Sequence, residues 1–204
     1  YYQNNRWKFL NRTNTVNFKN DDVSTWTLNQ LLSETIKLYT ASLISADSLK
    51  RTEINLIDEI LVKGSSEARV FRPTLYDFLA NRALDFYESG EADINRPANQ
   101  FSMNDSVYYA PAGEFVNIEV KNPDDTLNLK YFAVKIYQDI LKFHLNDKNP
   151  EALIDADLKR LTFVNAQSKN ERKDSLYLRS LHYIAEKYKS NPSSAEALLK
   201  IARW

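Results

Sequence analysis

The stretch that decides the fold reads RPTLYDFLANRAL and spans residues 72–84. Thr74 is a favourable N-cap residue, and Asp77 follows three positions later. This is the capping-box pattern, in which two unpaired backbone donors at a helix start find partners. Behind it, apolar residues recur at the three- and four-residue steps of one helix face. They are Leu75, Phe78, Leu79, Ala83, Phe86 and Tyr87. The stretch therefore predicts an amphipathic helix that buries one side against other helices and ends near Gly90.

Other helix starts follow the same local rules. Thr27 with Gln30 repeats the capping-box pattern, and Pro150 stands where the first turn of a helix favours proline. Ser193 with Glu196 marks a last start. Together with apolar spacing, these signals predict helices over about residues 27–43, 47–61, 74–88, 126–143, 150–164 and 177–188, and one that begins at residue 193.

Residues 91–125 lack helical spacing and form an irregular arm. Prolines interrupt it, and the alternation of apolar and polar residues from Val116 to Val120 predicts a short strand or extended segment. Two interpretations are open: the arm wraps over the helices with its aromatic side chains packed inward, or it is a functional loop. The aromatic residues of the arm are Phe101, Tyr108, Tyr109 and Phe115.

Two hairpins in the second half of the chain are similar to each other. A shift of about 45 residues is typical of stacked helix pairs. At that shift, Phe132, Ile136, Ile140 and Phe143 fall on Tyr177, Leu181, Ala185 and Tyr188. Stacked pairs of this kind share a continuous core and present an extended surface.

The expected fold is therefore mainly α: antiparallel helical hairpins with repeat-like, TPR-like stacking and one long irregular arm. Three glycines and six prolines in 204 residues suit long helices better than a sandwich of many turns. Because the chain begins inside an aromatic segment, we expect residues 1–204 to be a helical region of a larger protein. It forms either one body or two lobes, 1–90 and 126–204, joined by the arm 91–125.

Charge and composition exclude several functions. Lysine plus arginine equals aspartate plus glutamate at 27 each, so no long-range positive field would attract nucleic acid. Cysteine is absent, which excludes thiol catalysis, disulfides and cysteine-bound metal clusters within these residues. No apolar run approaches the roughly 18 residues of a membrane-spanning helix.

Residues with reactive side chains form no recognisable catalytic pattern. His144 and His182 lack a metal-binding spacing, and both are interpreted as capping or packing residues. Asp155 is expected to pair with Lys159 on the surface, because helical neighbours face each other at four residues. Arg82 and, near the N-terminus, Arg6 are expected to be buried ion-pair anchors for Asp77, Asp85 or Glu88. We therefore predict no catalytic residue, cofactor site or metal site.

Two blocks of sequence carry a resemblance to a known family. The first is YYQNNRWKF at residues 1–9, closed by Asn11, Arg12 and Thr13; the second is PTLYDFLANRAL at residues 73–84. A tryptophan-led segment, TWTL at residues 25–28, lies between them. In this arrangement the chain resembles the helical N-terminal region of large Bacteroidetes-type bacterial alpha-2-macroglobulin-family proteins.

The resemblance implies a periplasmic or extracellular protein that is membrane-anchored through an N-terminus missing here. Proteins of this family inhibit endopeptidases, in some branches with a Cys-Gly-Glu-Gln thioester, which this cysteine-free sequence lacks. The expected function is a non-catalytic scaffold or interaction module. Its partners would be other domains of the parent chain, an envelope protein or a protease.

Two alternatives are kept. One is a stand-alone helical-repeat module of a cell-envelope complex that binds peptides or glycans through the arm. Its partner contacts would be Tyr108, Tyr109, Phe115 and Trp7. The other is a hydrolase, which would require His144 or His182 to bond a carboxylate within a pocket.

Overall fold

The computed structural model describes Asn4 and residues 19–61, 66–89, 101–121 and 127–204. Within this part of the chain the protein is mainly helical and contains no strand. Its α-helices are α1 (Leu28–Ser42), α2 (Ala46–Arg51), α3 (Leu75–Tyr87), α4 (Ala112–Phe115), α5 (Leu129–His144), α6 (Glu151–Gln167), α7 (Lys173–Lys187) and α8 (Ala195–Ala202). Short 3-10 helices span Val23–Thr25, Ile54–Ile57, Ser66–Phe71, Ser106–Tyr109 and Pro192–Ser194.

Both capping boxes predicted from the sequence are confirmed. At α1, the Thr27 backbone N–H donates to Gln30 Oε1 at 2.8 Å, and the Thr27 hydroxyl accepts from the Gln30 backbone. At α3, the Thr74 backbone N–H donates to Asp77 Oδ2 at 3.0 Å, and the Thr74 hydroxyl accepts from the Asp77 backbone. These helices therefore begin where local hydrogen bonding favours a start.

The predicted helix over residues 47–61 is wrong, because α2 ends at Arg51. The chain beyond it pairs with the segment that enters α3. The Ile54 N–H donates to the Pro73 carbonyl at 2.9 Å, and the Leu75 N–H donates to the Thr52 carbonyl at 2.8 Å. These two long-range bonds replace the next helical turn, and a 3-10 helix follows at Ile54–Ile57.

The two halves of the chain share one hydrophobic core. α5 contacts α6, α6 contacts α7, and α7 contacts α8, while α3 packs against α5. One cluster of buried side chains runs from Ile36 of α1 through Leu161 of α6 to Ala197 of α8. Burial of this cluster is the main driving force that holds the helices together.

Residues 101–121 of the arm lie against the helices, as one of the two sequence interpretations expected. The segment from Val116 to Val120 forms no strand: Val116 and Asn117 continue from α4 as a turn, and residues 118–120 adopt no regular structure. The Gln138 side-chain amide of α5 donates to the carbonyls of Phe115 at 3.0 Å and Ile118 at 2.8 Å. Because a side chain takes these acceptors, no partner strand is needed here.

Candidate functional site

The arm aromatics predicted to contact a partner are buried. Exposed fractions are 8% for Tyr108, 2% for Tyr109 and 0% for Phe115. The Tyr109 hydroxyl donates to Asn165 Oδ1 of α6 at 3.4 Å. These side chains pack against the protein itself and leave almost no surface for a partner. The hypothesis that the arm binds peptides or glycans depended on their exposure and is therefore not supported. Trp7 lies outside the described residues.

Arg160 of α6 holds the arm in place. Its side chain is 1% exposed, and its guanidinium donates to the carbonyls of Tyr108 at 2.6 Å and Ala110 at 3.0 Å. Asp157 Oδ1 accepts from Arg160 Nε at 2.8 Å and Nη2 at 2.6 Å. The guanidinium also lies 4.3 Å from the centre of the Phe115 ring. A sequence signal for this pair exists, since an aspartate and an arginine three residues apart interrupt the apolar face of α6.

His144 at the end of α5 is bonded to two carboxylates. Its Nε2 lies 2.9 Å from Asp77 Oδ1, and its Nδ1 lies 2.6 Å from Asp147 Oδ2. Burial lowers the pKa of His144, but the hydrogen bonds and negative charges of Asp77 and Asp147 more than offset this, so the pKa lies above its usual value. His144 meets the carboxylate condition of the hydrolase alternative, yet it lines neither cavity described below. His182 is exposed.

A cavity of about 750 Å³ follows one face of α6, and we call it the α6 groove. Residues 154–167 of α6 contribute most of its lining; Phe71, Glu88 and parts of Pro192–Lys200 complete it. Phe71, Ala166 and Pro192 supply exposed apolar surface, whereas Ile154, Leu158 and Phe163 lie beneath it and are 1%, 3% and 5% exposed. The groove exists because α6 contacts the Ser66–Phe71 and Pro192–Ser194 3-10 helices along this face.

The lysines of the α6 groove already have acceptors. Lys159 Nζ lies 3.3 Å from Asp85 Oδ1 and 3.2 Å from Asn81 Oδ1, so the predicted pairing with Asp155 is corrected. Lys200 Nζ lies 3.6 Å from Glu196 Oε1. Lys159 turns toward α3 because α3 places two acceptors beside it.

Asp155 is the carboxylate of the groove that has no such partner. It is half-buried, and among the described residues its side chain accepts no hydrogen bond and forms no ion pair. Burial raises the pKa of Asp155, although the positive charges of Arg72, Lys159 and Lys200 act in the opposite direction. The predicted surface position of Asp155 is wrong, because its burial depends on elements distant in the chain.

Glu88, at the end of α3, is a second half-buried carboxyl group of the α6 groove. The hydroxyl of buried Tyr137 donates a hydrogen bond to Glu88 Oε1. Burial raises the pKa of Glu88, while Tyr137 and Lys159 act to lower it. The groove thus combines apolar surface with carboxylates that are partly removed from water.

A second cavity, of about 780 Å³, lies among α1, α3 and the chain at Ile60 and Leu61. Its surroundings expose apolar side chains: Leu38 is 61% exposed and Ile60 is 81% exposed. Arg82 lines this cavity and is exposed, so the expected buried ion pair of Arg82 is corrected. Arg6 lies outside the described residues.

Comparisons with protein-family models, with curated proteins and with solved structures gave no match. The resemblance to alpha-2-macroglobulin-family proteins therefore stays a prediction. Among the described residues, no group of three or more acidic or histidine side chains is placed to hold a metal ion. None of the helices in the described part combines the length and apolar character needed to span a membrane.

Proposed function

We propose that this chain is a non-catalytic helical scaffold that binds a segment of another polypeptide in the α6 groove. The proposal rests on the shape and lining of the α6 groove. It is concave, it offers apolar surface at Phe71, Ala166 and Pro192, and its charged groups lie beside that surface. Polypeptide ligands bind in grooves of this kind through apolar anchors, while polar groups set register and specificity.

The buried ionic clusters support a scaffold role. His144 joins the start of α3 to the end of α5, and Arg160 joins α6 to the arm. In both clusters the hydrogen-bonding groups are used between elements of the protein itself. Such contacts fix helix positions and keep the groove in one shape, which lowers the cost of ordering on binding.

We further propose that the two C-terminal hairpins are structural repeats. α5 and α7 begin at Leu129 and Lys173, and α6 and α8 begin at Glu151 and Ala195. Both pairs differ by 44 positions (173 − 129 and 195 − 151), close to the shift in the sequence comparison. α6, the second helix of the first hairpin, contacts both α5 and α7, as an inner helix of a stacked array does.

The resemblance suggests where such a scaffold acts. It supports a place in a macroglobulin-like protein of the endopeptidase-inhibitor type, in the periplasm or outside the cell. The ligand of the groove would then be another domain of the parent chain, an envelope protein or a protease. A stand-alone peptide-binding module of an envelope complex is the alternative, and it differs only in the source of the ligand.

Capture from a cell-envelope extract tests this proposal with three forms of the chain: the wild type, Ala166→Trp and Ser175→Trp. Ala166 is exposed within the α6 groove, so a tryptophan there fills the groove. Ser175 is exposed on α7 outside the groove lining and provides the matched control.

We expect the wild type and Ser175→Trp to retain the same protein and Ala166→Trp to lose it. Mass spectrometry then distinguishes a macroglobulin-like parent chain from a separate envelope protein or protease. Equal retention by all three forms would contradict binding in the groove.

A further inference from the structure

We infer that His144, Asp77 and Asp147 form a pH-sensitive latch on the loop that joins α5 to α6, residues 145–150. When the histidine ring loses its proton, it keeps its bond to Asp77 and releases Asp147. None of the three residues lines the α6 groove, so the latch is independent of the groove and of any ligand bound there. It is a conformational device that a purely rigid scaffold would not contain.

The first support is that both ring nitrogens of His144 face a carboxylate oxygen. Nε2 lies 2.9 Å from Asp77 Oδ1, and Nδ1 lies 2.6 Å from Asp147 Oδ2. An ionised carboxylate only accepts hydrogen bonds, whereas a neutral imidazole donates from one nitrogen alone. With both carboxylates ionised, the two hydrogen bonds therefore exist together only when the ring is doubly protonated. Removal of one proton sets a nitrogen lone pair against a carboxylate oxygen and breaks one of them.

The charged and titratable groups around the ring come from α3, the loop and α2. Among the described residues, Asp77 of α3 and Asp147 of the loop are the groups that raise the pKa of His144, against the effect of burial. Neither carboxylate pairs with a described lysine or arginine. Lys50 of α2 lies over the Tyr76 ring, 4.6 Å from its centre, and Tyr76 stays protonated because burial raises its pKa. The exposed lysines near the loop are Lys142 and Lys148.

The second support is the difference in exposure between the two carboxylates, which decides which bond is lost. The side chain of Asp77 is 1% exposed, and its other oxygen accepts from the Thr74 backbone N–H and hydroxyl. Asp77 therefore cannot turn toward water without opening the cap of α3. The side chain of Asp147 is 37% exposed, so water can replace the ring as its donor. Because an unsatisfied buried acceptor costs more than a hydrated one, the neutral ring should keep its proton on Nε2.

The third support is the position of Asp147 within the loop. Among the described residues, its bond to His144 is the side-chain hydrogen bond that joins residues 145–150 to the rest of the chain. The Asp147 backbone N–H also donates to the His144 carbonyl at 3.2 Å. Residues 146–149 are exposed, whereas Leu145 packs against the core. Release of the Asp147 side chain should therefore loosen residues 146–149 and leave α5 and α6 in place.

NMR spectroscopy of the full chain tests the latch. His182→Gln, at an exposed position of α7, serves as the parent form because it leaves His144 as the single histidine. Nitrogen chemical shifts of the ring report which nitrogen carries a proton at each pH. Amide exchange, relative to an unstructured chain at the same pH, gives the protection at residue 147 and at residues 75–78. Asp147→Ala and Lys148→Ala are made in the parent form, and Lys148 is the exposed neighbour that leaves both carboxylates present.

We expect both ring nitrogens to be protonated at low pH and only Nε2 above the transition. Protection at residue 147 should fall about tenfold through the same transition, the order expected for loss of a hydrogen bond to a charged group. Residues 75–78 should stay protected. Asp147→Ala should lower the midpoint of the His144 titration and abolish the pH dependence at residue 147, whereas Lys148→Ala should behave as the parent form does.

Several results would overturn the inference. The neutral ring could keep its proton on Nδ1, or both nitrogens could stay protonated at every pH at which the chain is folded. Protection at residue 147 that does not follow the titration of His144, or that still depends on pH in Asp147→Ala, would contradict the release of Asp147. Loss of protection at residues 75–78 with the same midpoint would show that Asp77 is released instead.

Discussion

Asp77 Oδ1 lies 2.9 Å from His144 Nε2, and this contact joins the start of α3 to the end of α5. The other oxygen of the same carboxylate accepts from the Thr74 backbone N–H at 3.0 Å and from the Thr74 hydroxyl at 2.8 Å. Asp77 is 1% exposed. One buried carboxylate therefore completes a helix cap and neutralises a histidine 67 positions away in the chain.

Replacement of Asp77 by alanine should lower the free energy of unfolding by about 3 kcal/mol, because it removes a cap and takes from the buried imidazolium one of its two carboxylate partners. Asp85→Ala, on the exposed side of the same helix, should cost no more than about 0.5 kcal/mol, since it breaks a largely exposed pair with Lys159. Denaturant unfolding of the two variants measures the difference. Similar small losses would show that the Asp77 contact contributes little.

The same contact predicts a pH dependence of stability. The pKa of His144 is raised in the folded protein, so the folded state holds its proton more tightly than the unfolded state does. The stabilisation is complete below the unfolded histidine pKa of about 6.5 and is lost as the pH rises through the higher folded pKa.

Comparison with His144→Gln isolates this contribution. The wild type should exceed the variant in unfolding free energy by the largest amount near pH 6, and the difference should shrink as the pH rises past neutrality. A difference that grows with pH would mean that His144 is neutral in the folded protein.

Arg160 provides a third prediction. Arg160→Met keeps much of the side-chain volume but removes the donors to Tyr108 and Ala110 and leaves Asp157 buried without a partner. We expect a loss of about 3–5 kcal/mol, as for other buried pairs that lose one member. Amide exchange at residues 106–110 should accelerate more than exchange in α7. Arg179→Met, at an exposed position of α7, is the control and should change neither quantity appreciably.

Replacement by asparagine should affect the stability of the protein differently at Asp155 and at Asp157. Asp155→Asn should not lower stability at pH 7, because burial raises the pKa of Asp155 and thus disfavours its charged form. Asp157→Asn should be strongly destabilising, since it leaves the guanidinium of Arg160 buried without its counter-charge. Thermal melting of both variants checks this. Equal destabilisation would contradict the difference between the two carboxylates.

The raised pKa of Asp155 also predicts how its contribution to stability changes with pH. A carboxyl group whose pKa is raised on folding makes the folded state relatively more stable as the pH falls toward that pKa. The unfolding free energy of the wild type should therefore rise relative to that of Asp155→Asn as the pH is lowered from 7 toward 4. The opposite trend would indicate that Asp155 is stabilised as a carboxylate by a partner.

The sequence predicted best what depends on neighbours within one helical turn. The capping boxes at Thr27 and Thr74 and the helix start after Pro150 are local, and each is present. The helix predicted over residues 47–61 failed because its backbone bonds go to residues 73 and 75 instead. No local sequence pattern indicates that a distant segment will compete for these backbone hydrogen bonds.

Most of the candidate site could not be predicted from the sequence, because it too depends on contacts between distant parts of the chain. Lys159 pairs with α3 and not with Asp155, and the groove is assembled from α6, α8 and Phe71. The ion pair of Arg160 is predictable from the sequence, since a charged pair three residues apart on a core-facing helix indicates a buried ion pair. The contact of Arg160 with the arm, 50 or more positions away, is not predictable in this way.

The central claim, that the α6 groove binds a polypeptide segment, is tested most directly by site-specific photo-cross-linking in the cell that makes the protein. A small diazirine amino acid replaces Thr162, which is exposed in the groove, or Ser175, which lies outside its lining. We predict a discrete cross-linked polypeptide from position 162, lost when Ala166→Trp is added, and none from position 175. Equal cross-linking from both positions, or cross-linking at 162 that persists with the groove filled, would contradict the account.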